Sequence, residues 1–288
     1  MVSALITIYN PDSSVPDNVR TVSKQVDRVF LCDNSSQRND SLFDDIPNTV
    51  YIFNNGNYAL SKAFNIVLKD KSLGWTDEDY VIFFDQDSAI KEGHIVGLVN
   101  EYELLEKQGY RIAGIGPIYF NLNTKRIAIP RVKKQITEND YIVSSIITSS
   151  LLCKYGSLKS IDYWNEEVFL DLADWDLCWR MMQRGMVCIK TKAVVLDHAL
   201  GYGVKKVGFI KLGETAPIRE YYQTRNYLYL LRKKYAPVKY KLKFIRNLTI
   251  RPLLHYLYLD NGKQRMQFVS DGFKDYRRGY IGPWDKRV

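Results

Sequence analysis

At 288 residues, 46% hydrophobic and 13% aromatic, the chain cannot be a disordered protein and can bury a sizeable core. No run approaches the roughly 18 apolar residues of a spanning helix, no charged-plus-apolar leader is expected, and four cysteines without CxxC spacing read as reduced core thiols. The net charge of +9 is segregated: residues 205–288 carry 20 Lys and Arg against 6 acids, which points to a polyanionic partner, either nucleic acid or an anionic membrane leaflet.

The first 120 residues alternate strand and helix patterns, which argues a mostly parallel α/β sheet with ligands at the carboxyl ends of its strands. Ser3–Ile8 reads as a buried strand ending in Tyr9-Asn10-Pro11, followed by a helix over Ser14–Gln25. Arg28–Cys32 is the second strand and ends in Asp33-Asn34-Ser35. Asp33 could accept a base imino proton or a ribose hydroxyl, or simply close an Asx-turn. After a third strand, Thr49–Phe53, the turn Asn54-Asn55-Gly56-Asn57 runs into a helix over Tyr58–Lys69 that contains Lys62. Gly56 allows close backbone approach and the helix N-terminus attracts phosphate. Neither a three-glycine dinucleotide fingerprint nor a P-loop is present.

The fourth strand, Tyr80–Phe84, ends abruptly in Asp85-Gln86-Asp87-Ser88. Two carboxylates at the mouth of a buried strand are costly unless a cation sits between them. No Lys or Arg occurs from Ile82 to Ile90, so a hard divalent metal on oxygen ligands is the natural candidate. A helix over Glu92–Gln108 and a strand over Ile112–Pro117 follow. The alternation then loosens into strand-like Arg126–Ile129 and Tyr141–Ile147. Asp171, Asp174 and Asp176 crowd the start of a helix over Asp174–Arg184. The helix dipole accounts for one or two of them; another could be a general base whose pKa is raised by neighbours such as Trp175.

Short strands over Val187–Lys190 and Ala193–Leu196 lead to His198, which could complete a metal site. A helix over Ala216–Lys234 places Arg219, Tyr222 and Asn226 on one stripe with Arg225 beside it, a surface that could grip a diphosphate. The next helix, Lys239–Asp260, contains Pro252, which should kink or split it. Its Lys239, Lys241, Lys243 and Arg246 interleave with Leu242, Phe244 and Ile245, suiting either an anionic bilayer or packing on the body. The neighbouring tyrosines suit an interfacial belt or a homodimer interface.

Taken together, ITIYNP, DNS, NNGNYALSKAFN, FFDQDS, FLDLADWDLCWR, LDHALG and REYYQTRN, spread from Ala4 to about Tyr235, resemble the inverting glycosyltransferases of family 2, which have the GT-A fold. The likeness is closest to bacterial rhamnosyltransferases of surface polysaccharide synthesis. It implies a GT-A catalytic domain over 1–214, with a nucleotide-binding half (1–120) and an acceptor half (121–214), and a basic, Tyr-rich helical region over 215–288. It implies that Tyr9, Asn10, Asp33, Asn55, Gly56, Lys62 and Asp85 serve the nucleotide. Asp87, with Asp85 and His198, would ligate Mg²⁺ or Mn²⁺. Asp174 would be the base, although family members often carry Glu-Asp where this chain has Ala173-Asp174, which leaves Asp171 and Asp176 open. Arg219, Tyr222 and Arg225 would meet the diphosphate or acceptor. The implied donor is a nucleotide sugar, dTDP-rhamnose before UDP-hexose, UDP-GlcNAc or UDP-galactofuranose. The implied acceptor is a saccharide, free or on a polyprenyl diphosphate, placing the enzyme in the cytoplasm at the inner face of the membrane. A nucleic-acid-binding protein would leave both acidic clusters without a purpose, so no nucleic acid partner is expected.

Overall fold

The computed structural model describes residues 1–121, 125–128, 134–198, 203–208 and 210–284. The first half runs β1 (Val2–Ile8), α1 (Val15–Ser23), β2 (Arg28–Asp33), β3 (Thr49–Phe53), α2 (Ala59–Leu68), β4 (Tyr80–Asp85), α3 (His94–Lys107) and β5 (Ile112–Asn121). These elements match the expected alternation to within a few residues. There follow β6 (Arg126–Ala128), β7 (Lys134–Gln135), β8 (Asp140–Val143), β9 (Leu151–Lys154), α4 (Tyr155–Lys159), α5 (Ala173–Gln183), β10 (Val187–His198), and a hairpin of β11 (Gly203–Val207) and β12 (Ile210–Glu214). Three helices follow: α6 (Arg219–Leu231), α7 (Val238–Tyr258) and α8 (Gly262–Arg278).

The main sheet has the order β3-β2-β1-β4-β9-β5-β10-β8-β7, with β6 on β5. β1 to β4 pair in parallel, β9 runs antiparallel between β4 and β5, and β10 returns parallel to β5. Side chains alternate across this sheet and so feed two cores. Leu5, Phe30, Val81 and Phe83 face α2 and α5, whereas Ile6, Leu31, Ile82 and Phe84 face α1 and α3. The close fit of β9 requires Gly114 on β5, where a Cβ would stand 2.8 Å from Leu151 and 2.9 Å from Cys153. All four cysteines are buried free thiols.

Three expectations are corrected. The stretch 187–198 is one strand with a register shift between Thr191 and Val195, not two strands. Pro252 does not split α7, which runs uninterrupted through it for 21 residues. The proline is buried in the helix interior, where packing of α7 on α6 and α8 offsets the missing hydrogen bond. Finally, β9 and α8 were not anticipated. Gly272 and a mean composition rich in charge obscure α8, yet Gly272 is what lets it close on α6, because a Cβ there would lie 2.7 Å from the Tyr221 carbonyl.

Polar groups lock the helices in place. Glu220 of α6 accepts from His255 Nδ1 at 2.6 Å and pairs with Arg251 at 3.4 Å and Arg265 at 3.7 Å, joining α6, α7 and α8. Asp176 of α5 is 0% exposed and accepts from Arg180 Nε at 2.6 Å, Asn165 Nδ2 at 3.2 Å and the Tyr235 hydroxyl. Arg180 in turn donates to the carbonyls of Ile161 and Tyr163. Removing one member of such a buried pair strands the other charge. Asp176→Ala should therefore lose about 3–5 kcal/mol of stability, measured by urea denaturation; a loss under about 1 kcal/mol, the scale of an exposed pair, would contradict this structural role.

Candidate active site

Register decides which side chains meet. β1 lies between β2 and β4, and Ile8 is level with Asp33 while Thr7 is level with Asp85. The three polar strand exits therefore share one sheet edge. Cross-links between them confirm the proximity: the Tyr9 N–H donates to Gln86 Oε1 at 2.7 Å, and the Asn10 N–H to Ser35 Oγ at 2.7 Å. A cleft of about 620 Å³ opens at this edge. Tyr9, Asp85 and Tyr222 line it, together with Asn34, Asn57, Gln86, Phe169, Phe268 and Trp284.

Other nucleotide candidates brace the cleft from behind. Asp33 is fully buried and accepts from the Ser35 N–H, Asn39 Nδ2 and the Tyr51 hydroxyl, so it forms the Asx-turn and is not on the cleft wall. Asn34 donates to the Ala59 carbonyl at 2.7 Å and accepts from Asn54, fastening the turn that holds Asn55 and Gly56. Asn55 has φ +50° and Gly56 φ +156°, backbone that favours short or absent side chains. Lys62 is exposed and lies over the Tyr58 ring, 3.9 Å from its centroid, away from the cleft lining.

The acidic residues differ sharply in environment. Asp85 is half-buried and accepts from Ser149 Oγ at 2.6 Å, whereas Asp87 on the following turn is exposed. Asp171 forms an ion pair with Arg219. Asp174 occupies the first turn of α5, where burial, with Asp171 and Asp85 adding, pushes its carboxyl up to about 7. That influence puts Asp174 within electrostatic reach of the strand-four exit. Lys190, missed from sequence, lies within its electrostatic reach: the ammonium sits 3.8 Å from the Tyr119 ring centroid and feels the Asp174 charge, while burial draws its pKa down to about 8. Asp176, by contrast, is committed to Arg180 and closed to any substrate.

Leading into α5, Leu170 and Leu172 both adopt left-handed backbone, at φ +62° and +69°. Such strain in bulky residues persists only where the surroundings over-determine it, and it clusters at functional sites. Here α6 supplies the restraint. Asn226 Nδ2 donates to the carbonyls of Phe169 and Asp171 at 2.8 and 2.6 Å, Arg219 holds the Asp171 carboxylate, and Tyr222 stacks on Phe169 at 5.0 Å. The Arg219–Tyr222–Asn226 stripe is thus real, and it positions the acidic loop. Arg225 is buried and donates to the carbonyls of Tyr280 and Gly282. The His198 side chain lies outside the described residues. Among the described residues no three His, Cys, Asp or Glu side chains form a metal-holding group. The hard oxygens of Asp85 and Asp87 still fit one or two carboxylate ligands of a Mg²⁺-like ion whose other positions are filled by phosphate and water.

Known proteins share this architecture. Over 93% of its length the chain is 25% identical to the dTDP-rhamnosyl transferase RfbF of Shigella flexneri, covering 92% of that protein. The crystal structure of GalNAc-T7 with UDP, GalNAc and Mn²⁺ superposes with a TM-score of 0.56 at 11% identity, over 99% of this chain and 60% of that one. S. aureus TarS 1-349 superposes with a TM-score of 0.54 at 13% identity, over 96% and 80%. These two place the fold among GT-A glycosyltransferases. Residues 3–150 match Glycosyl transferase family 2, and the protein, with its cleft at the shared exit of β1, β2 and β4, belongs to that family of glycosyltransferases.

Proposed function

We propose that the protein transfers L-rhamnose from dTDP-rhamnose to a saccharide acceptor, inverting the sugar's anomeric configuration. The observation that carries this reading is that Asp85 lines a cleft at the nucleotide edge of the sheet and lies within electrostatic reach of Asp174. Overall similarity to a dTDP-rhamnosyl transferase supports the donor. The nucleoside lies along Tyr9, Asn34 and Asn57, and the diphosphate lies toward Asp85 and Asp87. Those two carboxylates would hold Mg²⁺ or Mn²⁺, which when bound neutralises charge on the departing diphosphate. Asp174, held by the strained loop, accepts the proton of the acceptor hydroxyl as its oxygen attacks C1 in a single displacement. The Lys190 ammonium, within electrostatic reach, favours the ionised form that a base requires.

The acceptor reading extends to a polyprenyl-diphosphate-linked saccharide at the inner membrane face. In α7, Leu242 and Leu253 are 65% and 58% exposed, with Val238, Ile245, Ile250 and Leu257 also open to solvent. Lys239, Lys241 and Arg246 stand beside them. An apolar stripe flanked by cations suits an anionic bilayer. Among the described residues no helix is long and apolar enough to cross a membrane. Phe244 on the opposite face is fully buried, so the whole helix cannot be deleted without opening the core.

A thermal-shift screen of nucleotide sugars tests the donor. With Mn²⁺, dTDP-rhamnose at a hundred times its dissociation constant should stabilise the protein by roughly 2.7 kcal/mol, and Asp87→Asn should lose that gain; stabilisation by a UDP-sugar alone would reassign the donor. Asp174→Asn should keep donor binding and lose about 10²–10⁴ in turnover. Because the Asp174 carboxyl is raised to about 7, kcat should fall as pH drops below that value and level off above it; a rate unchanged from pH 8 to pH 5.5 would move the base elsewhere. Finally, Leu242→Glu with Leu253→Glu should abolish sedimentation with phosphatidylglycerol vesicles while leaving the melting temperature unchanged. Undiminished sedimentation would assign the stripe to something other than lipid.

A further inference from the structure

We propose that the segment following α8, Tyr280–Trp284, belongs to the substrate site: it walls the nucleoside end of the cleft, and a nucleobase stacks between the Tyr9 ring and the wall that Trp284 completes. The inference rests on the nucleotide-sugar reading and adds a structural element to it. Its first support is position. Pro283 and Trp284 line the same cleft as Tyr9, Thr7 and Ile8, at the carboxyl end of β1, which is where a Rossmann-like sheet receives its nucleoside. Tyr9 is 52% exposed there, a large ring open to the cleft.

The second support is the anchoring. The Trp284 N–H donates to the Tyr222 hydroxyl at 3.1 Å, and its ring meets Phe268 edge-on with centroids 4.9 Å apart. Tyr222 also lies within electrostatic reach of Tyr9: burial raises its phenol above the ordinary range, and Tyr9 contributes. Tyr9, Tyr222, Phe268 and Trp284 therefore all line the one cleft. Behind them Arg225, 3% exposed, gives Nη1 to the carbonyls of Tyr280 at 3.3 Å and Gly282 at 2.8 Å. Its buried Nε and Nη2 find no hydrogen-bond partner among the described residues. Burying a guanidinium and leaving donors unsatisfied is costly. A segment that merely trailed over the surface would not need so expensive a latch, whereas a wall that must hold one position against a ligand would.

The third support is chemistry. Aromatic side chains lining one cleft suit a planar base, and stacking tolerates different bases because each has a π-face. The test uses calorimetric titration of the full chain with dTDP and with dTDP-rhamnose, each with Mn²⁺. Trp284→Ala should weaken dTDP by about tenfold or more and dTDP-rhamnose by the same factor. Trp284→Phe should keep most of the affinity but lose the tryptophan quenching that dTDP produces in the wild type. Trp284 packs on the Phe268 and Tyr222 cluster, so Trp284→Ala is titrated below its own melting temperature, whereas Trp284→Phe, which keeps a ring on that cluster, should melt close to the wild type. Wild-type affinity in Trp284→Ala would overturn the inference and leave the donor reading intact. A loss confined to dTDP-rhamnose would also overturn it, because the wall would then touch sugar rather than base. No binding of dTDP or UDP by the wild type would remove the nucleotide-sugar reading itself.

Discussion

Parallel pairing in register is the constraint on which this molecule depends. With β1 between β2 and β4 and neither neighbour slipped, Tyr9, Asp33 and Asp85 are delivered to one edge. A slip of one residue in either pair would exchange the two faces of that strand, carrying each set of side chains into the opposite core. The two cores, one on each face of the sheet, oppose such a slip because Phe83 and Phe84 are each fully buried on opposite sides. Core packing and site geometry are thus the same property seen from two directions.

Given that edge, the acids are sorted by what each is allowed to touch. Asp171 has Arg219, Asp176 has Arg180 and Tyr235, and Asp85 has Ser149. Asp174 takes a backbone N–H from Trp175 and lies within electrostatic reach of the Asp171 and Asp85 carboxylates and of the Lys190 ammonium, in a site where burial raises its carboxyl. The difference in partners, more than any difference in sequence context, makes it the group best suited to gain and lose a proton near neutrality.

Much of this was legible beforehand. The first five strands and three helices follow from apolar runs bounded by turn residues, and the polar exits of β1, β2 and β4 stood out against them. Asp85 stands at one of those exits, whereas Asp174 and Tyr222 come from an acidic helix start and a helical stripe read from the sequence. What sequence could not show was partnership. Asp33 and Arg225 have the residue types expected of ligands, yet each is turned inward to hold backbone or neighbouring side chains. Nor does a sequence reveal that Leu170 and Leu172 adopt left-handed backbone, since leucine carries no propensity for it. The aromatic wall escaped for a similar reason: Phe169, Phe268 and Trp284 are distant in the chain and meet only because α6 and α8 fold back over the sheet edge.

That return of α6 alters how the basic, Tyr-rich region should be understood. Arg219, Tyr222 and Asn226 hold the loop that presents Asp174, so the helices after β12 are not an appendage to a finished catalytic unit. The restraint has a thermodynamic counterpart. A carboxyl that titrates near 7 in the fold and at its ordinary 3.8 outside it is bound to its proton more firmly when folded. Between those pH values the folded state holds the extra proton, so stability declines as pH rises through that window and levels off above about 7. Above about pH 7 the protein therefore carries an ionised group that its burial disfavours, together with two strained leucines. Both costs fall on the loop before α5, and the hydrogen bonds from α6 are the interactions placed to offset them. A helix whose sequence suggests a grip for a diphosphate is, by this reasoning, what holds Asp174 in position.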